Sequence, residues 1–131
     1  VNGLQFSDSI LGRIRQEGAP YDERAYLFVL AAVEYLQSSL DARRHVTGAE
    51  LSWACRDFAL QQFGLMAATV LEHWGVRRTD DFGRIVYILV QVGLLVTQPG
   101  DRESDFAGVF DFADVFGGEY VWHGVPRTAT G

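Results

Sequence analysis

"DDFGRIVYILVQVGLLVTQPGDRESDFAGVFDF", residues 80–112, is the stretch on which the fold turns. Its first half repeats apolar residues at helical spacing. Phe82, Ile85, Val86, Leu89 and Val90 form one buried stripe, and Gly93 supplies a stop. Thr79 stands ahead of it as a cap, with Asp80 and Asp81 against the positive helix end. After Gly93 the pattern changes. "LLVTQ" (94–98) is short, apolar and β-branched, "PGDRESD" (99–105) is turn chemistry, and "AGVFDF" (107–112) reads as a second short strand. The expectation is a β-hairpin of two strands around a seven-residue loop.

Working outward, "LMAATVLEHWG" (65–75) predicts a short helix ending at Gly75, joined through "VRR" (76–78) to the helix just described. Helix, turn, helix, strand, wing and strand in that order give a winged-helix-like half over residues 65–116. Upstream, "HVTGAEL" carries a capping box in Thr47 and Glu50, with Val46 and Leu51 at staple spacing. That helix puts Leu51, Cys55, Phe58, Ala59 and Phe63 on its inner side and ends at Gly64. "APYDERAYLFVLAAVEYLQSSL" starts a helix at Asp22, with Tyr21 and Tyr26 as its staple, and is apolar on nearly every face from Tyr26 to Leu36. "FSDSILGRIRQEG" predicts a first helix capped by Ser7, stapled by Phe6 and Leu11, striped by Ile10, Leu11 and Ile14, and stopped by Gly18. The expected class is therefore mainly α with a small β-hairpin (α+β). One domain spans 1–131: N-terminal helices in 1–64, the winged-helix-like half in 65–116, and an aromatic, frayed tail in 117–131.

A chain of 131 residues with 48% apolar and 21% charged residues has the composition of a globular domain with its own core. No charge-free apolar run reaches the roughly 18 residues a membrane helix needs, and "VNGLQFSDSI" lacks the features of a secretory signal. A lone cysteine, Cys55, has no partner for an internal disulfide, so a cytoplasmic location is expected. All eleven basic residues are arginine, which leaves no lysine for Schiff-base or P-loop chemistry.

Charge bears on the partner. The net charge is −6, and residues 99–131 hold six acids against two arginines. In a winged helix the second helix enters the major groove while the wing touches the DNA backbone. Here that helix opens with two aspartates, and its outward positions are Gly83, Arg84, Tyr87 and Gln91. The loop reads "DRESD", and phosphate contacts need donors or cations. Arg77, Arg78 and Arg84 are the residues a DNA-binding regulator would use, but nucleic acid is disfavoured. Another protein is the expected partner, met by Arg84, Tyr87, Asp101, Arg102, Glu103 and Asp105. The apolar helix 22–40 is either fully enclosed or exposes a stripe for a second copy of the chain.

Chemistry-bearing constellations are sparse. Cys55 lies between Leu51 and Phe58 on an apolar face, so a buried thiol is the reading rather than a nucleophile served by His73. His45, His73 and His123 are scattered, without metal-ligand spacing. "DRESDF" has acids at the first, third and fifth places of a calcium loop, but Phe106 and Phe112 replace the glycine and glutamate such a loop requires. Gly117-Gly118 follows no parallel strand and carries no lysine, and Phe106, Phe110, Phe112, Phe116, Tyr120 and Trp122 read as packing. No catalytic residue, metal or cofactor is expected, and a small enzyme with an unrecognised site is the remaining alternative.

The runs "AYLFVLAAVEY" (25–35), "RHVTGAEL" (44–51), "ALQQFGLMAATVLEHWGV" (59–76), "DDFGRIVYILVQVGLL" (80–95), "DRESDF" (101–106) and "VFDF" (109–112) together resemble a family of small proteins known mainly from Planctomycetes and Verrucomicrobia. The resemblance spans about Phe6 to Phe116. Two departures stand out: Leu65 replaces the family's usual proline, and "DRESDF" replaces a "SREDF"-like run. The resemblance implies a cytosolic bacterial protein of single-domain size and brings no assigned activity, cofactor or catalytic residue.

Overall fold

A computed structural model describes residues 12–14 and 20–116. The Ser7 cap, the Phe6–Leu11 staple, Ile10, the Gly18 stop and everything expected of residues 117–131 lie outside the described residues. Within them the order is α1 (Glu23–Ser38), α2 (Gly48–Phe63), a 3₁₀ turn (Gly64–Met66), α3 (Ala67–His73), α4 (Thr79–Gln91), a second 3₁₀ turn (Glu103–Phe106) and α5 (Phe112–Phe116).

The helix ends follow local chemistry. The Asp22 carboxylate accepts from the Arg24 N–H at the start of α1, and the Tyr21 and Tyr26 rings meet edge to face at 6.1 Å. At α2 the capping box is complete: the Glu50 N–H donates to Thr47 Oγ1 at 3.0 Å, and the Thr47 N–H donates to Glu50 Oε1 at 2.9 Å. Helix α4 ends in a Schellman motif, with Leu94 N–H donating to Leu89 C=O and Gly93 N–H to Val90 C=O. Gly93 sits at φ +87°, where a Cβ would be strained.

The buried side chains form one cluster. Helix α1 packs on α2 and α4, and α2 also meets α3 and α5. Tyr26, Val29, Cys55, Leu71, Phe82, Ile85 and Leu89 are at its centre. One flank is aromatic: Phe28 stacks near Phe58, Phe63 and Trp74, with centroids 5.4–6.1 Å apart. The other runs from Trp53 through Phe110 and Phe112 to Phe116, with Phe82 beside Phe112. Helix α1 is not fully enclosed, since Leu27 remains 43% exposed.

The expected hairpin is absent: the described residues contain no strand, and the domain is helical. The winged-helix sheet and the α+β class fall with it. The reason is where the backbone donors of 98–113 go. Gln98 N–H donates to Asp101 Oδ2 (2.7 Å), Arg102 N–H to Asp105 Oδ2 (3.0 Å), and Ala113 N–H to Asp111 Oδ1 (2.9 Å). The next two reach across to the start of α4, Gly108 N–H to Asp80 Oδ1 (3.3 Å) and Val109 N–H to Thr79 Oγ1 (3.1 Å). Side-chain oxygens have taken the places a ladder would need, and each aspartate turns the chain instead.

Two further expectations are corrected. Thr79 is the first helical residue rather than the cap, and it is wholly buried as the acceptor for Val109. Gly83 does not face outward; it is buried beneath the Phe106 ring.

Candidate functional site

The turn Glu103–Phe106 fixes one wall of the site. Phe106 is only 4% exposed and lies over α4 at Gly83, where an added Cβ would come 2.8 Å from Phe106 Cβ. On the other side, a Cβ on Gly48 would stand 3.0 Å from Asp105 Cβ and 3.1 Å from Asp105 C and O. The turn is thus seated in the seam between the starts of α2 and α4, and both glycines admit it by having no side chain.

The opposite wall is the loop between α1 and α2. Gln37 holds it at both ends of its amide, Nε2 donating to Arg44 C=O (2.7 Å) and Oε1 accepting from Arg44 N–H (3.2 Å). Arg44 forms a two-pronged bond to Glu50 at 3.2 and 2.8 Å, and Arg43 pairs with Glu34. The Arg44 guanidinium, helped by the Thr47 N–H, holds the Glu50 carboxyl at about 2, well below its ordinary value. His45 Nε2 lies 3.0 Å from Asp101 Oδ1 and so ties this loop to the opposite wall.

Between the walls is an open groove of about 370 Å³, with Val33, Leu51, Val86, Leu95 and Val96 as its apolar surface and Tyr87 among its polar groups. Tyr87 is half-buried, and its phenol is pushed up by burial and then by Asp101, Asp105 and Glu103. That is the signature of a local negative field. On the far wall Arg43 and Arg44 are matched by Glu34 and Glu50, and Arg102 lines the groove alongside Asp101 and Asp105.

Of the six expected partner-binding residues, Tyr87, Asp101, Arg102 and Asp105 line this groove. Glu103 acts on Tyr87 through its charge without lining the groove. Arg84 is exposed on α4 but belongs elsewhere, its charge bearing on Tyr21 and Tyr26. The acids were expected in the loop of a hairpin. Instead Asp101 and Asp105 each bind backbone within their own turn and still charge the groove. Sequence reading missed Gln37, Arg44, His45 and Leu95. The basic run "RRH" directly before a capping box was the available signal.

Cys55 is fully enclosed and its thiol is pushed up by burial, away from the reactive thiolate. No group of three or more His, Cys, Asp and Glu there is placed to hold a metal ion. No helix among the described residues is long and apolar enough to cross a membrane. No protein-family model matches this chain, nor does any curated protein or solved structure.

Proposed function

We propose that this chain is a non-enzymatic protein-interaction module, and that its groove receives a partner segment carrying apolar and basic side chains. The observation that carries the reading is the setting of Tyr87: a half-buried residue that lines the groove together with Val86, Leu95 and Phe106, its phenol pushed up by burial and then by the charges of Asp101, Asp105 and Glu103. An aromatic ring that is partly buried and carries a neutral polar hydroxyl beside acidic side chains suits a contact of mixed character, in which rings and arginines contribute most. Basic side chains of a partner are steered in by the acids, and apolar ones cover Val86, Leu95 and Val96.

A DNA-binding reading drew its backbone contact from a wing. With residues 94–112 forming no hairpin, that contact has no counterpart among the described residues.

The test is a titration of the full chain, followed by amide chemical shifts, with a capped Arg-Val-Arg-Val-Arg-Val peptide and its Glu-Val-Glu-Val-Glu-Val counterpart. The expected result is saturable, salt-sensitive shifts at Tyr87, Val96, Asp101 and Phe106 with the basic peptide alone. The triple substitution D101N/E103Q/D105N removes three charges while keeping oxygens to accept the Gln98 and Arg102 N–H groups, and it should abolish those shifts. Equal binding of both peptides, or of neither, contradicts the proposal.

A further inference from the structure

The two walls of the groove are joined, side chain to side chain, by a histidine and an aspartate. His45 Nε2, from the loop between α1 and α2, lies 3.0 Å from Asp101 Oδ1, and both residues line the groove. The other oxygen of that carboxylate accepts the Gln98 N–H at 2.7 Å, so Asp101 is fixed from two directions. The imidazole keeps 40% of its side-chain surface in water and the carboxylate 21%, which leaves the pair open to protons yet partly shielded. The groups that share the groove with this imidazole are of both signs. Arg43 and Arg44 flank it in its own loop, held by Glu34 of α1 and Glu50 of α2. The facing turn brings Arg102 and Asp105 beside Asp101, and α4 brings the Tyr87 phenol, pushed up and also reached by the charge of Glu103. Between about pH 5.5 and 8 ordinary carboxylates and arginines stay ionised, and the side chain that changes charge is histidine.

We propose that the His45–Asp101 pair is a proton-controlled clasp: the groove takes a basic segment when the imidazole is neutral and holds it off when the imidazole is charged. The proposal rests on the groove reading above and adds its regulation. Protonated, His45 sets a positive charge against Asp101. It cancels much of that carboxylate's pull on an arriving arginine and strengthens the tie across the walls. Neutral, it leaves Asp101 its full charge and joins the walls by an ordinary hydrogen bond at most. Both effects have the same sign, so affinity for a basic segment falls as pH drops. By thermodynamic reciprocity, the bound segment drives the proton off His45.

The test measures the affinity of the full chain for the same capped Arg-Val-Arg-Val-Arg-Val peptide at pH 8 and pH 5.5 and one ionic strength. The ring protons of His45 are followed in parallel by NMR. The peptide's arginines stay charged throughout. Binding should be about three- to tenfold weaker at pH 5.5, and saturating peptide should displace the His45 titration midpoint to lower pH. The amide of H45Q can still donate to Asp101 but takes up no proton, so the ratio between the two pH values should collapse to near one. His73, whose charge bears on Asp22 at the start of α1, stays in place in that variant as the internal control. Affinity that is equal at both pH values, that rises on acidification, or that keeps its full pH dependence in H45Q overturns the clasp while the groove reading stands. A basic peptide that fails to bind at pH 8, or binds no better than the acidic one, overturns both.

Discussion

Gly83 and Phe106 meet so closely that a methyl group on the glycine would lie 2.8 Å from Phe106 Cβ. Real Cβ atoms do not approach this way, and the contact is with the root of the ring's side chain, which cannot swing aside. A glycine within the helix costs about 1 kcal/mol relative to alanine. Here the cost is offset by letting Phe106 seal the seam between α2 and α4.

Substituting Gly83→Ala should therefore destabilise the fold by about 1–3 kcal/mol, despite alanine's better helix propensity. Phe106→Ala should cost about 3–5 kcal/mol. In G83A/F106A the two losses should fall short of additive, because the ring atoms 2.9 and 3.0 Å from the added methyl group are removed, while the Cβ at 2.8 Å is retained by the alanine. Urea denaturation of the four proteins in this cycle reads the coupling directly. Additive losses would mean that the two residues do not touch.

Thr79→Val should leave the part-buried Val109 N–H without its acceptor, the hydroxyl of the fully buried Thr79. The expected loss is about 1–3 kcal/mol, with faster amide exchange at Val109. Asp80→Ala removes an exposed, longer bond to Gly108 and should cost about 0.5 kcal/mol or less. Equal effects from the two substitutions would deny Thr79 its role in holding the 107–111 turn.

Acid should loosen the two helix starts. Asp22, bound by the Arg24 guanidinium and N–H, is lowered from 3.8 to about 2. Glu50, bound by Arg44 and Thr47, is lowered from 4.5 to about 2. Both favour the folded state above the ordinary carboxylate values, and the contribution drains away as pH falls through about 4 to 2. Far-ultraviolet circular dichroism against pH should show Glu50→Gln flattening part of this dependence. The pairs are largely solvent-exposed, so the effect is a modest shift in midpoint rather than collapse.

Alkali acts through the tyrosines with the opposite sign. Burial raises Tyr26 from 10.0 to about 12. Burial and then the 2.6 Å bond to Asp81 raise Tyr21 further. Their contributions are complete below the ordinary tyrosine value and decline as pH climbs above about 10. Tyr21→Phe should remove part of the alkaline loss while giving up the Asp81 contact at neutral pH. Unfolding curves at pH 8 and pH 11 check both signs.

Local chemistry was legible in the sequence wherever a few neighbouring residues settle the outcome. The Thr47–Glu50 box, the Asp22 cap, the Gly75 and Gly93 stops and the buried stripe of α4 all follow from contacts within one or two turns. Residues 94–112 were misread because their local signals are those of a hairpin: β-branched residues, a Pro-Gly turn and a second apolar run. What decides them is non-local. Phe106 finds the gap over Gly83, Thr79 and Asp80 take the Gly108 and Val109 N–H groups from about thirty residues away in sequence, and Phe110 and Phe112 join Trp53 and Phe82. The groove was half legible. Its acids and Tyr87 stood out by charge and spacing, whereas Gln37, Arg44 and His45 arrive through a loop whose path sequence alone does not trace.

The most direct measurement is the pattern of nuclear Overhauser contacts in the 94–112 segment. The seated turn predicts contacts from the Phe106 ring to the Gly83 α protons and from Asp105 to Gly48. Cross-strand α-proton contacts between residues 94–98 and 107–112, with none between Phe106 and Gly83, would contradict the seated turn and the groove built on it.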